Sequence, residues 1–327
     1  MEKKLKVLFV SSGNSKNFEI APFIKAQGES LTNAGIEVNY FAITGKGFIG
    51  YLRGASNLRK HLKNSDCDIV HAHYTLSGWS AVLSFPRQPI VLSLMGDDAY
   101  GDFIGENQVR FSSYYLVLLT KLIQPFVAKL ICKSKHIESY VYLKNKSSVI
   151  ANGIRLENFY VQDKGYRMEL GLDPKLKYVL FLGSKNSVRK NYKLAESAIK
   201  TMNDPDVRLI SPFPITHVEV VKYLNSVNCL VVPSFMEGSP NVVKEAMSCN
   251  CPIVATDVGD VRWVIGDIEG CYTASFEPND FADKLKLALK FTKEIGRTKG
   301  RERIIQLGLD AETVAKKIIE IYKKILN

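Results

Sequence analysis

Apolar residues in this chain come in short runs, each followed by a longer segment with apolar positions at helical spacing. "KVLFVSS" (6–12) predicts a buried strand, and "APFIKAQGESLTNAG" (21–35) a helix stopped by Gly35. "IEVNYFAI" (36–43), "DIVHAH" (68–73), "PIVLSLMG" (89–96), "AKLICKS" (128–134) and "SVIANG" (148–153) predict further strands. Helices are expected around 52–64 and 77–85. The strands are continuous Val/Ile/Leu runs and do not alternate strictly. Such runs are covered on both faces, which implies a parallel sheet.

The rhythm restarts after the polar connection "RLENFYVQDKGYRMELGLDPKLK". "YVLFLGS" (178–184), "VRLISP" (207–212), "CLVVPS" (229–234) and "PIVATD" (252–257) read as strands. Segments 191–202, 216–226 and 240–249 read as helices, and "AETVAKKIIEIYKKILN" as a long terminal helix. Two βαβ series joined by a polar hinge predict an α/β fold of two Rossmann-like, doubly wound domains facing a cleft. We expect the domains at 1–160 and 161–308, with 309–327 as a helix packing back on the first. Ligands of such folds bind beyond the carboxyl ends of the strands.

Composition narrows the class. The 327 residues are 46% hydrophobic and 24% charged, an ordinary soluble balance. No apolar run reaches the roughly 18 residues of a membrane span, and "VLFV" is too short for a signal peptide. A cytoplasmic protein is expected. Six scattered cysteines, none in a Cys-x-x-Cys pair, read as buried thiols. Asp66-Cys67-Asp68 opens a strand, a poor place for a metal, so no metal site is expected.

The chemistry concentrates in "PSFMEGSPNVVKEAM" (233–247), where Glu237 and Glu245 have seven residues between them. With Ser239 as N-cap and Pro240 at the first helical position, Glu237 lies outside the helix. Glu245 then lies roughly 7–8 Å along its axis. The helix start offers free N–H groups and the positive dipole end. A nucleotide sugar matches this layout, with diphosphate at Gly238, Ser239, Pro240 and Asn241, ribose by Glu245 and sugar by Glu237. Spacing alone favours the plainer reading, in which Glu245 is an exposed helix residue and Glu237 a turn residue.

The segment "PSFMEGSPNVVKEAMSCNCPIVATDVGDV" resembles the donor-binding segment of family-4 retaining glycosyltransferases, which have the GT-B fold. "VIANGIRLENF" is similar to that family's domain-linking segment, and "FLGSKNSVRKNYKLAESAI" to its Gly…Lys-Asn loop. "DIVHAHYTLSG" and "VLSLMGDD" resemble first-domain segments. The resemblance implies that Glu237 lies near the transferred sugar, Glu245 near the ribose and Lys190 at the phosphates. Lys185 and Arg189 are further candidates for the diphosphate. Gly13, whose loop would approach the phosphates, and Gly96 and Asp97 complete the substrate-binding set. Two departures stand out: Ser184 where many members have Arg, and Met95 where many have His. His71 and His73 are the candidate substitutes for the latter, with a structural role as the alternative.

The resemblance implies hexosyl transfer from a nucleotide diphosphate sugar to a glycan or lipid-linked acceptor hydroxyl, in surface polysaccharide or glycolipid assembly, with no cofactor. A donor-binding partner subunit without transfer activity and a GT-B sugar-nucleotide epimerase are the rival readings. The net charge of +11 asks for a further partner. Residues 1–160 hold 19 Lys and Arg against 12 Asp and Glu, or +7, leaving +4 for the remainder. "GKGFIGYLRGASNLRKHLKN" (45–64) has Lys46, Arg53, Arg59, Lys60 and Lys63, interleaved with Phe48, Ile49, Tyr51 and Leu52, and no acid. It reads either as a solvated basic helix face or as a peripheral contact with an anionic membrane. The stretch 111–146 reads as helix packed on the sheet, with its basic face in solvent. No nucleic-acid module is present, so nucleic acid is not an expected partner.

Overall fold

The computed structural model describes residues 4–14, 19–45, 47–162 and 166–327. Lys46 and the side chain of Phe48, both in the basic stretch singled out above, lie outside the described part.

In chain order the first half contains strands β1 (Lys6–Ser12), β2 (Glu37–Ile43), β3 (Ile69–His73) and β4 (Ile90–Leu94). The short hairpin β5 (Phe103–Gly105) and β6 (Gln108–Val109) follows, then β7 (Lys129–Cys132) and β8 (Ser147–Val149). Its helices are α1 (Pro22–Asn33), α2 (Gly47–Lys63), α3 (Thr75–Leu83), α4 (Asp97–Tyr100), α5 (Tyr114–Ile123) and α6 (Lys135–Ser139). The second half contains β9 (Lys177–Phe181), β10 (Val207–Ile210), β11 (Cys229–Val232), β12 (Ile253–Thr256) and β13 (Cys271–Ala274). Its helices are α7 (Tyr192–Met202), α8 (His217–Ser226), α9 (Asn241–Ser248), α10 (Val261–Ile265), α11 (Pro278–Glu294), α12 (Gly300–Gln306) and α13 (Ala311–Leu326).

The chain forms two compact units. One comprises Met1–Gly101, Phe111–Gly153 and Ala311–Asn327, the other Asp102–Arg110 and Ile154–Asp310. The first is built on a six-stranded sheet in the order β2-β1-β3-β4-β7-β8, parallel throughout. Residues of β3 and β4 are buried at every position, as continuous apolar runs require. α1 and α13 cover one face, where Val7, Phe9, Ile69, Val91 and Ile131 pack on Ile318, Ile321 and Tyr322. α2, α3 and α5 lie side by side as the layer on the other.

The second unit has a five-stranded parallel sheet ordered β10-β9-β11-β12-β13. Val179, Phe181, Cys229, Val231 and Val254 pack against α7 and α11. The hairpin β5–β6 belongs to this unit and packs on the turn Val188–Lys190. Sequence reasoning missed this hairpin, because its apolar residues are too few to show a period. α2 begins at Gly47, five residues before the expected 52. Gly50 in α2 is there for space: a Cβ on it would come within 2.4 Å of the Gly45 carbonyl oxygen.

Candidate functional site

The sheet of the second unit changes winding direction at β9, with β10 on one side and β11 on the other. Loops leaving the carboxyl ends of β9 and β11 therefore part, and the crevice between them is where doubly wound sheets take ligands. The first of these loops carries Arg189 and Lys190, and the second carries Glu237.

Glu237 is 6% exposed. Its Oε1 accepts from Lys190 Nζ at 2.6 Å and from Ser234 Oγ at 2.9 Å, and its Oε2 accepts from Arg189 Nη1 at 2.9 Å. Burial pushes its carboxyl up, but the charges of Lys190 and Arg189 more than offset this and hold it below the ordinary value. The two loops are also stitched together by backbone. Phe235 N–H donates to the Arg189 carbonyl at 2.9 Å, and Arg189 Nη1 donates to the Met236 carbonyl at 3.0 Å. The cations are thus placed by main-chain bonds as well as by charge. Gly259 lets a third loop close in, with φ +62°; a Cβ there would lie 2.5 Å from the Glu237 carbonyl oxygen and 2.6 Å from that of Gly238.

Glu245 is 7% exposed, which excludes the exposed-helix alternative. No side chain or backbone group among the described residues donates a hydrogen bond to its carboxylate. Burial raises its pKa to about 7, and the charges of Lys244 and Lys190 oppose the rise only in part. Lys190 therefore acts on both glutamates. One carboxylate is saturated with donors and held ionised, while the other is desolvated and lacks donors.

The expected capping of α9 is corrected by the structure. Pro240, at φ −68° and ψ 117°, is itself the N-cap, and no side chain caps the helix. Ser239 instead donates from Oγ to Asp260 Oδ2 at 2.6 Å and accepts from Lys244 Nζ at 3.0 Å. Its hydroxyl is committed to this buried network and cannot also reach the helix N–H groups. Lys244 is fully buried, which lowers its pKa, and burial raises that of Asp260. Asn241 opens the helix, and its Oδ1 is buried without a partner among the described residues. Lys185 is exposed, with its Nζ 4.8 Å from the centre of the Tyr192 ring, and does not join the Glu237 cluster. Ser234, Lys244 and Asp260 escaped sequence reasoning; the only hints were Ser234 three residues before Glu237 and a lysine beside Glu245.

In the first unit, Gly13 ends β1 and donates its N–H to the Ile43 carbonyl at 2.8 Å. Gly96, at φ +144°, leaves no room for a Cβ, which would meet the Tyr100 hydroxyl at 2.6 Å. Asp97 is exposed. Its neighbour Asp98, not singled out from sequence, is fully buried and accepts from the N–H groups of Met95, Gly96 and Thr75 at 2.8–3.1 Å. Burial nonetheless raises its pKa to about 6. Two adjacent aspartates at a strand end look alike in sequence, and only packing separates them. His71 is structural, bonded to Tyr322 at 2.5 Å and Ser93 at 2.8 Å. His73 is buried, stacks on His71 with ring centres 4.4 Å apart, and has no hydrogen bond among the described residues. Burial lowers the pKa of both imidazoles well below the ordinary value.

The chain is similar to known proteins in sequence and in fold. Residues 5–158 match the model of Glycosyltransferase Family 4, and residues 179–290 that of Glycosyl transferases group 1. Over 270 residues the chain is 28% identical to an uncharacterized glycosyltransferase of Methanocaldococcus jannaschii, covering 77% of this chain and 74% of that one. It is 26% identical over 244 residues to a putative teichuronic acid biosynthesis glycosyltransferase, TuaC, of Bacillus subtilis, covering 65% of this chain and 60% of that one. In fold it is similar to sucrose-phosphate synthase of Thermosynechococcus elongatus, with TM-score 0.77, 17% identity and 99% of each chain covered. HepE of Anabaena, solved in complex with UDP-glucose, gives TM-score 0.75 at 16% identity over 98% of this chain and 100% of that one. Two family models that together span most of the sequence, on two parallel-sheet units of GT-B type, place the chain among the family-4, group 1 glycosyltransferases.

Proposed function

We propose that the protein is a retaining hexosyltransferase that moves a sugar from a nucleoside diphosphate sugar to an acceptor hydroxyl. The observation that carries this reading is the unlike pair of glutamates. Glu245 is a buried carboxylate without donors, a turn and a half inside α9, and the cis-diol of a ribose supplies two hydroxyl donors. Lys190 and Arg189, held by Glu237 and by backbone bonds, are placed to take the diphosphate. Charge builds on the leaving diphosphate as the glycosidic bond breaks, and these preorganised cations together with the α9 N–H groups stabilise it. Glu237 orients the cations and meets the sugar. Gly238, Pro240 and Asn241 line the phosphate seat, with Ser239 holding the loop. Gly13, Gly96 and Asp97 are assigned to substrate contacts from the strand ends of the first unit. Lys185 sits on Tyr192 and enters only as a surface cation.

The relative TuaC is a putative teichuronic acid biosynthesis glycosyltransferase, which supports an acceptor in surface polysaccharide or glycolipid synthesis. Among the described residues no helix is long and apolar enough to cross a membrane. The test is slow hydrolysis of a panel of nucleotide sugars, with product anomers resolved by NMR. Turnover of one donor, with retained configuration in transfer to an acceptor, is the expected outcome. Tight nucleoside diphosphate binding without any turnover would favour a donor-binding subunit, and inversion at the anomeric carbon would overturn the retaining assignment.

A further inference from the structure

The layer formed by α2, α3 and α5 has two properties that the transfer chemistry does not use. It contains no aspartate or glutamate. The helices on the opposite face do, with Glu29 in α1 and Glu312 and Glu320 in α13. α2 exposes Arg53, Arg59, Lys60 and Lys63, and none of them pairs with a carboxylate among the described residues. The second property is the outer face of α5. Sequence reasoning expected a solvated basic face there, but the exposed positions are Phe111 (87%), Tyr114, Tyr115 (60%), Leu118, Leu122 and Phe126. Lys121 is the only charge on the helix. Phe85, 71% exposed at the end of α3, lies under Arg59 at 5.7 Å and joins the cationic and aromatic parts.

We propose that the α2–α3–α5 face docks on an anionic lipid bilayer. A row of exposed aromatic and aliphatic side chains at helical spacing is costly in water, and patches of this kind mark interaction sites. Tyrosine rings suit the headgroup level, and long basic side chains beside them reach phosphate while their stems stay in apolar surroundings. The uncompensated positive field over the whole layer matches an anionic surface, and no carboxylate on these helices opposes approach. A second copy of the chain fits less well, because it would bring the same unpaired cations against themselves. The inference extends the transfer reading by naming a partner, and its test requires no sugar transfer, so the two can fail separately.

The test is co-sedimentation with vesicles of phosphatidylcholine and phosphatidylglycerol in equal parts, against vesicles of phosphatidylcholine alone. The wild-type protein should bind the anionic vesicles and release as salt rises to physiological strength, where the screening length is about 8 Å. Replacing Arg53, Arg59, Lys60 and Lys63 with Gln should lower the partition coefficient by about 100-fold or more. Phe111→Ser with Leu118→Ser, both at exposed positions, should lower it by about tenfold. Unchanged melting curves and unchanged nucleoside diphosphate affinity in both variants would show that fold and donor site are intact. Failure to bind anionic vesicles at low salt overturns the proposal. So does binding that neither variant reduces, or a dimer in light scattering that Leu118→Ser dissolves, which would give the face to a second copy.

Discussion

Glu245 sets a conflict at the scale of a single residue. Its carboxyl titrates at about 7 in the fold, against 4.5 ordinarily, so the folded state binds a proton that the unfolded state releases between those values. A carboxyl raised in this way is harmless at low pH and destabilising once ionised, so stability falls as pH rises from about 4.5 to 7. Glu245→Gln should therefore stabilise the free protein at pH 8 by up to about 3 kcal/mol and change little at pH 5, as denaturant titration at the two pH values would read. The same variant should weaken nucleoside diphosphate binding by about tenfold in calorimetry, since an amide is a poorer acceptor for a diol. Stabilisation without loss of affinity would mean that the carboxylate is not a ligand contact. Lys190→Ala should lower turnover by about 100-fold, more than Glu245→Ala does, because a leaving-group contact strengthens in the transition state. Glu237→Gln should reduce transfer while leaving nucleoside diphosphate affinity within a few-fold. Gly259→Ala combines a strained φ with a clash on the Glu237 and Gly238 carbonyls, so it should displace the loop and cut transfer and affinity together.

At the scale of elements, strong periods survive in the sequence and weak ones do not. β1, α1, α7 and α13 lie close to where their patterns put them. β13, α10 and α12 went unassigned because they span only 4, 5 and 7 residues; α11 went unassigned although Phe281, Leu285, Ala288 and Leu289 give it a buried face at helical spacing. α13 shows how a distant segment completes a core: Val314, Ala315, Ile318, Ile321 and Tyr322 pack under β1 and β3, far from it in sequence. Tyr322→Phe removes the partner of His71 Nδ1, a buried hydrogen bond, and should cost about 1–2 kcal/mol in urea unfolding of the first unit. Tyr322→Ala should cost about 3–5 kcal/mol by adding a cavity.

At the scale of the molecule, each unit has its own sheet and core. The residues proposed to hold the nucleoside diphosphate, Lys190, Glu237 and Glu245, all belong to the second unit. Ligand at 100 times its dissociation constant adds about 2.7 kcal/mol to whatever unit binds it. Calorimetric scanning should then show the transition of the second unit rising by about 5–10 °C, with that of the first nearly still. An equal rise of both would mean that the donor site draws on both units or that they unfold as one.

What the sequence determined by itself was the run of apolar segments, and hence two parallel sheets, and the placing of Glu237, Lys190 and Glu245 on loops and a helix start of the second. Those follow from local period and turn chemistry, which need no distant partner. The tertiary structure decided the rest. It made Pro240 the N-cap by engaging the Ser239 hydroxyl with Asp260 and Lys244. It buried Asp98 and left Asp97 in solvent, and it put aromatic rings on the outer face of α5. It gave two glutamates in one motif opposite titration shifts, because Glu237 hydrogen-bonds to Lys190, Arg189 and Ser234, whereas at Glu245 burial outweighs the charges of Lys244 and Lys190. Burial and charge depend on residues far apart in the chain, and a one-dimensional pattern does not carry them.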